Sequence, residues 1–397
     1  MNFLFKPEVS SNNTMPTTKP QKIIIIDDAI PFAKEMFTHL GEVQLIAGKA
    51  IDAELAKTAD ALIIRSRTQI DQTLLKQSNA SFVGSTVVGL DHIDQDYLAS
   101  RDIHFYSAQG CNANSVAEYV ITCLLIMAEK FQFTLANKTL GIIGVGNVGS
   151  LVHKKANALG MTCLLNDPPK ILLQPELAES YTDLENCLSA DILTFHTPLT
   201  TGGKFATLDL LGKGKLKQIK PNQILINAAR GGIINEAAWS QTQTLCNIID
   251  CWENEPNISE ALYKQANIAT PHIAGHSLDA KIAGTEMVYH ELCKHWDIEP
   301  QTSWKSALPS KPNTITLENE PASDKIQTIL KQVTQQTHNP LDDDRAIRSN
   351  DIDLLRSKYE DYRRNFPIYR EWKEHEVSVT KDNEICKVLN LMGFNLI

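Results

Sequence analysis

The run Thr139–Val145 is mostly apolar and β-branched, and it leads directly into Gly144-Val145-Gly146-Asn147-Val148-Gly149. A helical pattern follows over Asn147–Leu159, and a second short apolar run, Met161–Asn166, comes next. Strand, glycine turn, helix and strand in this order predict a βαβ unit, because a parallel strand needs a crossover to return. Each glycine then has a physical task. Gly144 permits the tight turn, Gly146 lets the backbone approach a ligand, and Gly149 lets the helix pack close to the strand. The unpaired N–H groups and dipole at the start of that helix favour an anion such as a pyrophosphate. Asp167, at the end of the second strand, suits the two adenosine ribose hydroxyls and would repel a 2′-phosphate. The expected cofactor is therefore NAD.

The same alternation recurs on both sides of this unit. Short buried strands are expected at Lys22–Asp27, Ala61–Arg65 and Ser81–Val88, with a helix over Phe32–Leu40. Ser115–Lys130 is a long apolar helix. Further strands are expected at Ile192–His196, Gln223–Ala228, Asn247–Cys251 and Asn267–Thr270, with a helix at Leu278–Trp296. Alternation of this kind predicts an α/β protein with two doubly wound, Rossmann-like parallel-sheet domains. The tail adds a smaller α+β unit. Ile352, Leu355, Tyr359, Tyr362 and Phe366 share one helical face, Glu376–Thr380 and Phe394–Ile397 read as strands, and Ile385–Leu391 as a helix. A proline-containing linker with a short strand at Thr314–Leu317 joins it to the rest. The expected organisation is a disordered tail over 1–20, a substrate domain from 21–114 and 276–304, a nucleotide-binding domain over 115–275, and a C-terminal domain over 305–397. A module as small as the last buries little by itself, so a dimer interface is the expected cover for its apolar face.

Composition narrows the partners. The formal net charge of −9 argues against nucleic acid or an anionic membrane as the main partner. No apolar run reaches the roughly 18 residues of a membrane span, and the polar start lacks a signal-peptide core, so a cytoplasmic protein is expected. The eight cysteines are scattered, with no spacing typical of a metal site, and read as small buried hydrophobes.

Three residues stand just beyond expected strands, where ligands bind in such sheets. Arg230 follows Ile224–Ala229, Glu255 follows Asn247–Cys251, and His272 follows Asn267–Pro271. A guanidinium offers a planar fork for a carboxylate and can polarise a neighbouring carbonyl. An imidazole can exchange the proton of a hydroxyl, and a carboxylate beside it fixes one tautomer. Asp250 is expected near the nicotinamide end of the cofactor. The remaining histidines, His92 and His196 among them, are expected to be structural.

Four stretches, Gly141–Gly149, Asp191–Leu199, Ile224–Asn235 and Pro271–Gly275, together resemble the D-2-hydroxyacid dehydrogenases. The resemblance implies a nucleotide-binding domain inserted into a discontinuous substrate domain. It implies that Arg230, Glu255 and His272 are catalytic. It implies cofactor contacts from Gly144, Gly146, Asn147, Val148, Gly149, Asp167, Thr197, Ala228, Asp250 and Gly275. Substrate contacts are implied at Ser66, Arg65, Val87, Gly89, Arg230 and His276, with Arg65, Ser66 and Arg67 forming a cationic corner suited to a phosphate. Two positions depart from the family pattern: Val87, where the pattern has Thr, and His276, where it has Tyr. Gly110–Asn114, Asp167-Pro168-Pro169 and the tail ending Met392–Asn395 resemble one branch of the family. That branch acts on a small phosphorylated 2-hydroxy acid and dimerises through its C-terminal domain. The alternatives are a dehydrogenase of another 2-hydroxy acid, such as 3-phosphoglycerate, and a non-enzymatic NAD-sensing scaffold of the same fold.

Overall fold

The computed structural model describes residues 21–317, 326–379 and 383–397. The expected tail over residues 1–20 lies outside the described residues. The chain divides into two compact units. One takes in the described residues up to Ser85, with Gly89–Tyr106 and Val288–Trp304. The other comprises Thr86–Val88, Ser107–Met287 and the described part of Lys305–Ile397.

The first unit is built on a five-stranded sheet ordered β2-β1-β3-β4-β5. Its strands are β1 (Ile23–Asp27), β2 (Glu42–Ile46), β3 (Ala61–Ile64), β4 (Phe82–Ser85) and β5 (His104–Ser107). β2, β1, β3 and β4 pair in parallel. The central strands β1 and β3 are almost continuously aliphatic and bury nearly every side chain, as a sheet covered on both faces requires. β2 and β5 were not legible in sequence. They are the edge strands, and their mixed, part-exposed patterns lack the aliphatic run that marks a central strand.

The second unit carries a six-stranded sheet ordered β11-β10-β9-β8-β6-β7. Its strands are β6 (Thr139–Ile143), β7 (Thr162–Asn166), β8 (Ile192–Phe195), β9 (Ile224–Asn227), β10 (Cys246–Ile249) and β11 (Ile268–Ala269), all parallel. The order reverses beside β6: β7 lies on one side and β8 on the other. Such a switch opens a crevice at the carboxyl ends of the strands. The glycine turn, Thr197, Arg230, Asp250 and His272 all follow strands of this sheet at those ends.

The C-terminal residues belong to this second unit. β12 (Ile315–Thr316), β13 (Glu376–Ser378) and β14 (Asn395–Leu396) form a small parallel sheet. Ile329, Leu330, Val333, Trp372, Val377, Leu389 and Met392 join one hydrophobic cluster with the helix Ala113–Lys130 and the six-stranded sheet. Ile347, Leu355 and Tyr359 join a second cluster on that sheet. A buried polar joint reinforces this packing. The Asn114 amide donates to Glu118 and Glu371 at 2.7 and 2.8 Å, the Trp372 amide donates to Glu118 at 3.1 Å, and Lys155 donates to the Met392 carbonyl at 2.5 Å. Burial pushes the Glu118 carboxyl up, against the pull of Lys155. The helix expected to carry Phe366 ends earlier, at Arg364, so Phe366 reaches the core from the following segment. No helix among the described residues is long and apolar enough to cross a membrane.

Candidate active site

The glycine turn takes the expected geometry. Gly144 has φ +87°, a conformation that L side chains rarely adopt. A Cβ on Gly149 would overlap the Gly144 carbonyl oxygen, which explains the glycine at the close helix–strand approach. Gly146 is different: a Cβ there would meet nothing within 4 Å. Its backbone therefore faces open space at the start of the helix Asn147–Ala158, where unpaired N–H groups can receive an anion. Thr197 Oγ1 is buried and has no hydrogen-bond partner among the described residues. An orphaned hydroxyl beside that turn fits a dinucleotide partner.

Asp167 caps the short helix Pro168–Leu173, with proline at its first turn. Its Oδ1 accepts from the Lys170 amide at 3.0 Å and its Oδ2 from the Val145 amide at 2.8 Å. Lys170 Nζ donates to the Val145 carbonyl at 2.8 Å. The carboxylate thus ties the end of β7 to the glycine turn, and its remaining lone pairs stay available to ribose hydroxyls. Gly275 packs closely on Asn112, whose side chain a Cβ would strike, while Ala228 is buried at the end of β9.

The proposed catalytic trio lies within this same unit. Glu255 and His272 form a pair: His272 Nδ1 lies 3.0 Å from Oε2 and 3.2 Å from Oε1. The Trp252 amide donates to Glu255 Oε1 at 2.9 Å. Burial raises the Glu255 carboxyl, but His272, the Trp252 amide and Arg363 together outweigh it and hold the group below its ordinary value. An ionised Glu255 accepts only, so Nδ1 carries the proton and Nε2 is left with a free lone pair. Arg230 anchors one guanidinium nitrogen on the Ala229 carbonyl at 2.7 Å. Its remaining donors meet no protein acceptor among the described residues. Asn227 shapes the loop that carries it, donating to the carbonyls of Arg230 and Cys251 at 2.9 and 3.2 Å.

Asp250 is fully buried and committed to the His272 loop. Its carboxylate accepts from Thr270 Oγ1 at 2.7 Å, from the Ile273 amide at 2.8 Å and from the Ala274 amide at 3.1 Å. Tyr119 extends this chain through Thr270 at 2.7 Å. Burial raises the Asp250 carboxyl, opposed by His272 and these donors. His272 itself has φ +55°, a strained conformation for a side-chain-bearing residue that the Asp250 bonds maintain.

Of the expected substrate residues, Arg65 and Ser66 follow β3 in the first unit together with Arg67, and Gly89 belongs to that unit as well. Val87 and His276 belong to the second. The Val87 carbonyl accepts from Ser107 Oγ at 3.0 Å, and the His276 ring meets Phe366 edge-on at 5.8 Å. His196 is half-buried with Nε2 2.9 Å from Thr194 Oγ1, and desolvation of its ring pushes it down to about 3, which keeps it neutral. Four functional contributions escaped the sequence: Asn227, Thr270, Tyr119 and Arg363. Asn227 alone left a signal, as a polar residue closing the aliphatic run Ile224–Ile226.

Comparison with known proteins gives the family. Residues 125–274 match the family model described as D-isomer specific 2-hydroxyacid dehydrogenase, NAD binding domain. The chain is 57% identical over 378 residues to the erythronate-4-phosphate dehydrogenase of Hydrogenovibrio crunogenus, covering 95% of this chain and 100% of the relative. It is 46% identical to the enzyme of the same name from Ruthia magnifica, over 88% and 96% of the two chains. Among solved structures, a D-lactate dehydrogenase from Aquifex aeolicus complexed with NAD and lactic acid shares the fold over 70% of this chain and 96% of its own, with a TM-score of 0.55 and 20% identity. The chain therefore belongs to the erythronate-4-phosphate dehydrogenases, NAD-dependent oxidoreductases of the D-2-hydroxyacid dehydrogenase family.

Proposed function

We propose that this chain oxidises 4-phospho-D-erythronate to 2-oxo-3-hydroxy-4-phosphobutanoate, a step on the route to pyridoxal 5′-phosphate. The single observation that carries the reading is the Glu255–His272 pair at 3.0 Å in the same unit as the uncommitted fork of Arg230. The names and coverage of the relatives support the choice of substrate.

NAD, held by the residues named below, would supply the hydride acceptor for the carbon that carries the hydroxyl. Arg230 binds the substrate carboxylate and, as the alcohol becomes a carbonyl, stabilises the oxygen. His272 Nε2 takes the hydroxyl proton, and Glu255 holds the ring in the tautomer that leaves Nε2 free and then stabilises the imidazolium. Gly144, Gly146, Asn147, Val148 and Gly149 form the pyrophosphate cradle. Asp167 takes the adenosine ribose, Thr197, Ala228 and Gly275 line the dinucleotide, and Asp250 supports the nicotinamide end by fixing the His272 loop. Ser66, Arg65 and Arg67 take the phosphate, with Val87, Gly89 and His276 around the carbon chain. Two protomers pair through residues 305–397, where Leu354, Ile368, Leu391 and Ile397 leave apolar surface exposed. The enzyme works in the cytoplasm.

The test is NADH absorbance with purified protein, NAD and 4-phospho-D-erythronate, with D-3-phosphoglycerate and D-lactate run beside it. Turnover confined to the four-carbon phosphate is expected. Turnover confined to another acid contradicts the substrate and leaves the reaction class.

A further inference from the structure

The last turn of the helix Ile352–Arg364 and the segment after it touch the loop around His272 at its alternate residues His272, Ala274 and His276. Arg363 Nε donates to the His272 carbonyl at 3.3 Å, Tyr369 Oη donates to the Ala274 carbonyl at 3.4 Å, and the Phe366 ring meets the His276 ring edge-on. Phe366 and Tyr369 are buried. Asp250 holds the amides of this same loop from below, so the C-terminal segment grips the carbonyls that Asp250 leaves. A loop whose central residue sits at positive φ needs both sets of bonds to stay in one conformation. A structural tail has no need to place a guanidinium on the carbonyl of the proton-accepting residue.

We propose that Arg363–Tyr369 is a positioning element of the active site, with Arg363 orienting His272 and setting the charge balance of the Glu255–His272 pair. The inference rests on the reading of His272 as the proton acceptor. Arg363 is half-buried, so its charge is weakly screened. It helps hold Glu255 below its ordinary value, and it acts on Cys251 and Tyr359 in the same direction. The other groups near the pair are Arg230 and Asp250, the carboxylates Glu236 and Glu253, and the buried hydroxyl of Tyr359. Most of these are anionic or neutral. Arg363 and Arg230 supply the positive charge, and Arg230 is assigned to the substrate. Removing the charge of Arg363 therefore raises the proton affinity of the pair, and the base stays protonated to higher pH.

The experiment compares Arg363→Gln, Arg363→Lys and Tyr369→Phe in the full-length protein, recording kcat and KM across the acid limb, with NAD affinity and melting temperature alongside. In Arg363→Gln the acid limb of kcat/KM moves up by about half a pH unit, and the plateau kcat falls roughly tenfold with KM and NAD affinity unchanged. Arg363→Lys returns the limb to its wild-type position, because charge and not shape sets it. Tyr369→Phe lowers kcat by about threefold with the limb in place, and it keeps the proposal testable if the Gln variant does not fold. A wild-type rate in Tyr369→Phe, or an unmoved limb in a folded Arg363→Gln variant, overturns the proposal. His272→Asn runs in the same series: retained turnover there removes the underlying site reading, whereas loss of turnover there with silent Arg363 variants removes only this inference.

Discussion

The amide of His272 donates to the main-chain carbonyl of Asp250 at 2.8 Å, while the carboxylate of the same aspartate accepts the next two amides. One buried residue therefore sets the backbone of the loop that presents the imidazole. Asp250→Asn keeps the volume but turns part of the acceptor into an N–H donor facing amides. We expect kcat/KM to fall by roughly a hundredfold, with a loss of on the order of 2 kcal/mol in stability. Steady-state kinetics with urea unfolding checks both, and a variant with wild-type kinetics contradicts the role.

Two glycines of the turn separate fold from cofactor. A Cβ at Gly146 enters open space, whereas one at Gly149 strikes the Gly144 carbonyl. Gly146→Ala should melt like the wild type yet bind NAD at least about tenfold more weakly, since the methyl occupies the approach of the pyrophosphate. Gly149→Ala should lower the melting temperature itself. Calorimetric titration with NAD and thermal melting distinguish the two, and equal melting losses would contradict the assignment.

Glu236 carries a pH prediction. Its carboxylate accepts the Glu253 amide at 2.6 Å. Burial pushes its carboxyl up to about 7 from an ordinary 4.5; the Glu253 amide opposes the rise, and the charges of Glu253 and Glu255 add to it. The unfolded chain releases this proton near 4.5 and the folded chain holds it to about 7. Stability is therefore lost as pH rises through that window and stays lost above it. Glu236→Gln should remove that slope and be more stable above the window by on the order of 2 kcal/mol. Urea midpoints at pH values on either side of the window provide the check, and parallel profiles for the two proteins would contradict it.

The buried joint of Glu118, Lys155 and Glu371 gives a second stability prediction. Lys155 lies 4.5 Å from the Trp372 ring centroid and donates to the Met392 carbonyl. Lys155→Ala removes the buried cation beside Glu118, while Glu371 keeps Lys373 at 3.3 Å, and should cost about 3 kcal/mol. Hydrogen exchange should show the added openings in the C-terminal residues first. Unchanged exchange there would argue that the joint is dispensable.

What the sequence disclosed follows from how local each signal is. β1, β3, β6 and β8 are aliphatic runs that report burial on both faces, and the glycine turn is a local constraint on the backbone, so both were legible. Arg230, Glu255 and His272 could be proposed because each comes after a strand of the six-stranded sheet. Arg363 and Tyr369 could not, because their partners lie 91 and 95 residues away along the chain. Asp250 was legible as a site residue but not as the organiser of the His272 loop, since that role needs the loop to fold back onto its carboxylate. Edge strands β2 and β5 were missed because exposure of one side erases the continuous apolar pattern.

The most direct test of the account is turnover of 4-phospho-D-erythronate by His272→Asn, with NAD binding measured on the same preparation. Asparagine cannot accept the hydroxyl proton at neutral pH, so the rate should fall by on the order of a thousandfold while NAD affinity stays at the wild-type value. A variant that binds NAD normally and keeps its rate would contradict the assignment of His272 as the proton acceptor, and with it the mechanism.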